Sequence, residues 1–136
     1  MTDKPLLEQK RIDDLISAYR KGLTENVLKE IKILSEEYPN NYLIFNIYGV
    51  IQTDLGEFSK SVSFFTKAIK LNPNYVKAYV NLGSALNHLG KYEDAILSYN
   101  KGIEIEPDYA DAHFNLGKTL NDIGRFEDSI KSYCRA

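Results

Sequence analysis

The chain has 136 residues, of which 43% are hydrophobic and 26% are charged, and its formal net charge is −2. This balance is typical of a folded globular protein and argues against a disordered chain. Lysines and arginines are spread along the chain in runs no longer than two, so the chain lacks the clustered basic face of nucleic-acid-binding proteins, and no nucleic acid partner is expected.

The N-terminal segment, residues 1–7, begins with polar residues and is predicted to be a tail rather than a signal peptide. The most apolar stretch, residues 42–51, is too short to cross a bilayer and contains Asn46. The single Cys134 cannot form an internal disulfide. We therefore expect a cytoplasmic protein that has no membrane partner.

Glycine, proline and aromatic residues recur along the chain at an interval of 34 residues. The glycine series are Gly22, Gly56, Gly90 and Gly124, and then Gly49, Gly83 and Gly117. The proline series is Pro39, Pro73 and Pro107, and one aromatic series is Phe65, Tyr99 and Tyr133. Self-similarity at such a period indicates stacked copies of one supersecondary unit.

Residues 8–41 form the first unit, which departs from the pattern of the others. Its second helix keeps the register, but its first helix fits only if one residue is deleted before Gly22. Ile16 then occupies the position that holds a small residue elsewhere, opposite Val27. We predict a wider helical hairpin here and interpret the unit as a divergent capping repeat.

Residues 42–75 and 76–109 form the next two units, each predicted to be two helices separated by a glycine. In the third unit the apolar stripe of the first helix is Tyr79, Leu82, Gly83 and Leu86. The stripe of the second helix is Ala95, Ile96, Tyr99, Gly102 and Ile103. Spacings of three and four residues indicate α-helices, and no period-two alternation predicts a strand.

The glycines in the first helices point to tight packing, because glycine inside a helix is about 1 kcal/mol less favourable than alanine. We predict that each faces a small residue of the second helix, so that the two backbones approach closely. The predicted pairs are Gly49 with Ser61, Gly83 with Ala95, and Gly117 with Ser129.

Residues 110–136 form the fourth unit, which is truncated in its second helix because Ala136 falls short of the position equivalent to Pro107. No polar capping helix follows, although terminal repeats normally have one for solubility. We infer that a longer chain continues or that a partner covers this end, and self-association through it is one alternative.

These motifs resemble the tetratricopeptide repeat family, whose helix pairs stack into a right-handed superhelix. The resemblance covers the chain from about residue 8 onwards, and in the fourth unit His113 takes the place of the usual aromatic residue. It implies an all-α solenoid of stacked antiparallel helix pairs, with about four units. It also implies a scaffold for protein–protein interaction.

No catalytic site, metal site or cofactor is predicted. Residues 117–119, Gly-Lys-Thr, resemble the end of a phosphate-binding loop, but Ala112 replaces the required first glycine and the segment is predicted to be mid-helix. His88 and His113 lie in different units and lack further zinc ligands at short spacing. We therefore predict that the chain is not an enzyme.

In this family the first helices line a concave groove, which suggests a set of peptide-binding residues. They are Lys77, Asn81, Ser84, His88, Asp111, Asn115, Lys118 and Asp122. Asn81 and Asn115 each begin an Asn-Leu-Gly triplet, and they resemble the asparagine ladder of O-GlcNAc transferases, whose amides bind the backbone of an extended peptide. Ile47 replaces asparagine in the second unit, so the ladder would be short.

The resemblance therefore favours a scaffold that binds a peptide or protein segment of unknown identity in its groove. Two alternatives remain open. The chain could be the N-terminal arm that recruits substrates to a longer enzyme of the glycosyltransferase or sulfotransferase type. It could instead be a self-associating assembly unit.

Overall fold

The computed structural model describes residues 4–136, apart from the side chain of Phe126, and contains eight α-helices and no strand in this range. The helices are α1 (Lys4–Lys21), α2 (Glu25–Glu37), α3 (Tyr42–Asp54), α4 (Phe58–Leu71), α5 (Val76–His88), α6 (Tyr92–Ile105), α7 (Ala110–Asp122) and α8 (Phe126–Arg135). The predicted all-α class is confirmed.

The N-terminal helix starts earlier than the sequence pattern suggests. The prediction of a tail over residues 1–7 is wrong for residues 4–7, because α1 begins at Lys4. Pro5 is compatible with this start, since backbone N–H groups in the first turn of a helix have no partner within the helix. Residues 1–3 lie outside the described range.

The helix pairs stack in chain order into a curved array. Within the described residues, α3 contacts α5 and α5 contacts α7, whereas no comparable contact joins α4 to α6 or α6 to α8. The first helices of successive pairs are therefore closer together than the second helices, so the array curves towards α3, α5 and α7. This is the α-solenoid that the sequence predicts, with α4, α6 and α8 on the convex side.

The turn within each hairpin has a local cause in the sequence. Gly56, Gly90 and Gly124 have φ values of 76°, 76° and 83°, a left-handed conformation that glycine adopts without steric cost. In the third unit the N–H of Lys91 then donates to the carbonyl of Leu86 at 2.9 Å, as in a Schellman cap. The recurring glycines thus end the first helix of each of the last three units at the same place.

The glycines inside the first helices accommodate aromatic rings. A Cβ atom at Gly83 would lie 2.5 Å from Cε1 of the Tyr99 ring, and Gly49 and Gly117 stand in the same relation to Phe65 and Tyr133. The prediction that each of these glycines faces a small residue is therefore only part of the explanation, since the nearest atoms belong to an aromatic ring. The helices do approach closely, but the ring four residues further along the second helix fills the space.

The small residues of the second helices support this close approach. In the fourth unit Ser129 Oγ donates to the carbonyl oxygen of Gly117 at 2.7 Å, and Ser129 is buried. A larger side chain there would separate the two backbones, as overpacking of a core generally does.

The first hairpin is wider than the others, which confirms the prediction made from Ile16. The helices α1 and α2 pack against each other less extensively than the two helices of any other unit, and a cleft of about 480 Å³ opens between them. Arg11 bridges this gap by hydrogen bonds to Glu37 and, at 3.0 Å, to Glu30. Hydrogen bonds to these carboxylates raise the pKa of Arg11 above its ordinary value.

Asn41 joins the first unit to the second. Its Oδ1 accepts from the N–H groups of Leu43 at 2.9 Å and Ile44 at 3.4 Å, which caps the N-terminus of α3. Its Nδ2 donates to Oε1 of Glu8 in α1 at 2.5 Å.

Replacing Asn41 by alanine is expected to lower the free energy of unfolding by about 1–2 kcal/mol, because it removes a helix cap together with a contact to α1. Urea unfolding followed by circular dichroism measures this change. Asn40→Ala is the matched control, since Asn40 is exposed in the same loop. An equal loss in both variants would contradict the capping role of Asn41.

Candidate functional site

The concave surface formed by α3, α5 and α7 is the candidate site, and we refer to it as the groove. All eight predicted residues lie on two of its helices, four on α5 and four on α7. Asn81, Ser84 and Asn115 are half-buried, and the other five are exposed. The residues predicted from the sequence are therefore accessible and lie on two adjacent helices.

Four charged residues stand out on α5 and α7, namely Lys77, Asp111, Lys118 and Asp122, which we call the groove charges. All four are exposed, and none takes part in an ion pair with another described residue. Lys77 and Asp111 occupy equivalent positions in successive units. The groove thus offers charges of both signs that the rest of the described chain does not neutralise.

The two asparagines of the predicted ladder each donate one internal hydrogen bond, but only that of Asn81 joins two helices. Nδ2 of Asn81 donates to Oδ1 of Asn46 in α3 at 3.1 Å, and Asn46 is buried. Nδ2 of Asn115 instead donates to the backbone carbonyl of Asp111 in its own helix at 2.9 Å. Val80 takes the place of Asn46 one unit later and has no acceptor, which explains the difference.

The repeat pattern did not identify Asn46 as the hydrogen-bond partner of Asn81. It lies 35 residues before Asn81, one more than the repeat length, so no 34-residue series links the two. Each ladder asparagine has one N–H committed to an internal bond, and its side-chain carbonyl accepts none from the other described residues. Recognition of a peptide backbone by Asn81 and Asn115 therefore stays a prediction that uses their remaining polar atoms.

At one end of the groove, His88 is fixed by two contacts. Its ring stacks on Phe58 of α4, with the ring centroids 4.4 Å apart and the planes 13° from parallel. Its Nδ1 donates to the carbonyl of Ser84 at 2.8 Å. Phe58 belongs to a 34-residue aromatic series with Tyr92, but that series by itself did not indicate a position beside the groove.

His113 has a structural role, as its place in the repeat suggests. It is buried, and its Nε2 donates to the carbonyl of Pro107 at 2.7 Å. One unit earlier the hydroxyl of Tyr79 donates to the carbonyl of Pro73 at 2.8 Å. His113 therefore replaces both the packing and the hydrogen bond of the usual aromatic residue.

The described residues contain no group of three or more His, Cys, Asp or Glu side chains placed to hold a metal ion. Cys134 is exposed at the end of α8. None of the described helices is long and apolar enough to cross a membrane.

Three profiles of known protein families match the chain. A TPR repeat profile matches residues 83–124, and two tetratricopeptide repeat profiles match residues 64–96 and 44–75. Among curated proteins, the photosystem I assembly protein Ycf3 of Cuscuta gronovii and that of Cuscuta obtusiflora are each 31% identical over 58 residues. This match covers 43% of the chain and only 34% of those relatives.

Solved structures share the fold over almost the whole chain. A crystal structure of MamA superposes with a TM-score of 0.85 and 21% identity, and covers 94% of this chain and 75% of that one. MamA from residue 41 to its end, from Desulfovibrio magneticus RS-1, gives a TM-score of 0.81 and 22% identity, with 94% and 72% covered. The MamA structures show the fold. The three repeat profiles together span residues 44–124, more than half of the chain, and with the 34-residue period they show that the chain belongs to the tetratricopeptide repeat family, an architecture of protein–protein interaction scaffolds.

Proposed function

We propose that this chain is a non-catalytic scaffold that binds a peptide or protein segment along the groove. The observation that carries this proposal is the set of groove charges, which are exposed, of both signs and unpaired within the described chain. Charges at the rim of an interface contribute mainly to orientation and specificity. The expected ligand is therefore a segment that carries both acidic and basic side chains.

The rigidity of the surface supports the same proposal. The groove residues project from helices whose opposite faces are buried, so their positions are held by the core rather than by flexible loops. The stacked His88 and Phe58 add an ordered apolar contact at one end of the groove. The Ycf3 relatives are named assembly proteins, which favours a scaffold role for this chain as well.

Peptides selected from a random display library against the whole chain provide a direct test. Their dissociation constants would be measured by fluorescence anisotropy for the wild type and for a variant in which the four groove charges are alanine. We expect binding about tenfold weaker in the variant, because several rim contacts are lost together. The salt dependence of binding should fall as well.

The control variant replaces four exposed charges on the convex helices by alanine, namely Lys60, Lys70, Glu93 and Asp94. It removes the same number of positive and negative charges as the groove variant. It is expected to bind the selected peptides as tightly as the wild type. Equal weakening in both variants, or no weakening in either, would reject the groove as the binding surface.

The role of substrate-recruiting arm for a longer glycosyltransferase or sulfotransferase is compatible with the same groove. In that case the selected segment would be the enzyme's protein substrate. The groove variant would then reduce modification of that substrate and leave the reaction of a short acceptor unchanged.

A further inference from the structure

The convex helix α4 exposes a surface unlike that of the other second helices. Helix α4 contains three lysines and no acidic residue, whereas α6 contains three acidic residues and one lysine, and α2 contains four acidic residues and two lysines. All three lysines of α4 are exposed, and the other exposed residues of this helix carry hydroxyl groups. We call its six exposed residues the lysine face, namely Ser59, Lys60, Ser63, Thr66, Lys67 and Lys70.

The charges of the lysine face are not neutralised by the rest of the described chain. None of its three lysines takes part in an ion pair with another described residue. Glu57 lies just before α4 and is the nearest acidic residue in the sequence, but it forms no such pair either. One unit later Lys101 occupies the position equivalent to Lys67, and it pairs with Glu104 at 3.4 Å.

The first turn of α4 also departs from the pattern of the later units. The first turns of α6 and α8 each contain Glu followed by Asp, which the positive end of the helix dipole favours. At the equivalent positions α4 has Ser59 and Lys60, and a lysine there opposes the dipole. A residue that contradicts a local preference of its helix is expected where function requires it.

The geometry of the lysine face matches a second helix lying along α4. Its residues form three pairs spaced by seven residues, which is two helical turns or about 10 Å along the axis. The pairs are Ser59 with Thr66, Lys60 with Lys67, and Ser63 with Lys70. The small hydroxyl side chains leave room for a partner backbone beside the lysines. Lys67 is held in place, because its Nζ lies 5.7 Å from the ring centroid of Phe45.

The chemistry of the lysine face selects an acidic protein as the partner. An ammonium group can only donate hydrogen bonds and a hydroxyl group can also donate, so every exposed residue of α4 can bind a carboxylate. Helix α4 exposes no large hydrophobic residue, in contrast to helices that bind at a membrane surface, and lipid-binding clusters usually contain four to eight basic residues. Three lysines also fall short of the extended basic surface that nucleic acids require.

We propose that the lysine face docks an acidic α-helix of another protein, whose carboxylates recur on one side at intervals of three and four residues. Two helices side by side share the two-turn repeat, so successive carboxylates meet successive lysines and hydroxyl groups. The contacts are exposed ion pairs, so the binding is weak, sensitive to salt and important mainly for orientation. This site lies on the convex side and is separate from the groove.

A designed acidic helix serves as the probe. It is a labelled peptide of about 20 residues with both ends blocked, glutamates at alternating spacings of four and three residues, and alanine and glutamine elsewhere. The peptide is titrated with the full 136-residue chain at low ionic strength and its fluorescence anisotropy is followed. Saturable binding is expected. An isomer of the same composition, with its glutamates distributed around the helix, should bind more weakly.

Replacing the three lysines of the lysine face, Lys60→Gln, Lys67→Gln and Lys70→Gln, should weaken binding of the probe about tenfold. The control variant should bind as tightly as the wild type. It has the same net charge as the first variant, so the overall field of the protein does not explain the difference. It replaces three exposed lysines that form ion pairs on other helices, namely Lys10→Gln, Lys29→Gln and Lys101→Gln.

A single added carboxylate tests the same surface. Ser63→Asp places a negative charge at the centre of the lysine face and should also weaken binding. Leu97→Asp is the matched control, since Leu97 occupies the equivalent position on α6 and is 67% exposed. Circular dichroism confirms that each variant stays folded. The groove-charge variant should still bind the probe, so this proposal and the proposed function can fail independently.

The proposal is overturned if the probe does not bind the folded wild-type chain, or if the two triple-lysine variants behave alike. Equal binding of the probe and its isomer would also overturn it, because the attraction would then not depend on a helical face. Two further results would assign the lysine face to another occupant. One is sedimentation with phosphatidylserine vesicles that the lysine-face variant loses, and the other is a dimer that the same variant loses.

Discussion

Gly83→Ala is expected to lower the free energy of unfolding by about 3 kcal/mol, at the upper end of the usual range for overpacking a core. The new Cβ would lie 2.5, 2.7 and 2.8 Å from three atoms of the Tyr99 ring. That ring is 1% exposed and packed on every side, so it cannot swing away into solvent. The higher helix propensity of alanine offsets about 1 kcal/mol at most.

Gly102→Ala is the matched control for this prediction. Gly102 is also buried within a helix of the third unit, but a Cβ there would be 3.5 Å from Val76 and 3.7 Å from Tyr79, which are ordinary contacts. This variant should be neutral or up to about 1 kcal/mol more stable. Urea unfolding measures the free energy of unfolding of both variants. A similar loss of stability in Gly102→Ala would show that the effect of Gly83→Ala is not steric.

A double-mutant cycle isolates the contact between the glycine and the ring. Tyr99→Leu alone should destabilise the chain by leaving a cavity. In the Gly83→Ala background the same replacement should cost less, because the smaller side chain makes room for the methyl group. Additive losses in the cycle would mean that Gly83 and Tyr99 are not coupled.

A loss of stability at alkaline pH is the second large effect expected, and it arises from Tyr99. Burial raises the pKa of Tyr99 from 10.0 to about 12. Between these values the folded chain binds more protons than the unfolded chain, so the free energy of unfolding falls as the pH rises. The contribution of the neutral phenol is fully present below pH 10 and decreases by about 2–3 kcal/mol by pH 12.

Tyr99→Phe tests this assignment, because phenylalanine keeps the ring and removes the titrating group. Burial also raises the pKa of Tyr48, Tyr75 and Tyr109, so the wild type and the variant must be compared at each pH. The stability of the wild type relative to the variant should be constant below pH 10 and should then fall by about 2–3 kcal/mol. Parallel curves up to pH 12 would assign the alkaline loss to other groups.

The repeat and its helices could be derived from the sequence because their causes are local. The left-handed glycines Gly56, Gly90 and Gly124 end one helix in each of the last three units, and apolar residues at spacings of three and four define the buried stripes. His113 could be recognised as a replacement for an aromatic residue because it stands in a series with Tyr79. The same periodicity placed the candidate groove residues on the two adjacent helices α5 and α7.

The tertiary structure alone decided which side chains meet across the helix interfaces. A stripe of residues identifies the buried face of a helix but not the rotamer or the reach of the side chain opposite. Gly83 therefore accommodates the ring of Tyr99, although Ala95 was the expected neighbour. Likewise Asn81 bonds to Asn46 across two helices, at a separation that matches no repeat interval.

Which residues of a unit are buried also depends on the units stacked against it. Ile96 and Ile130 are equivalent by sequence, but the first is covered by α7 and the second is 62% exposed. By itself the sequence determined the repeat, the helices and the stripe of each helix, since these follow from the local preferences of the backbone and from periodicity. The partner of each stripe depends on how the units stack, because burial is a property of two surfaces together.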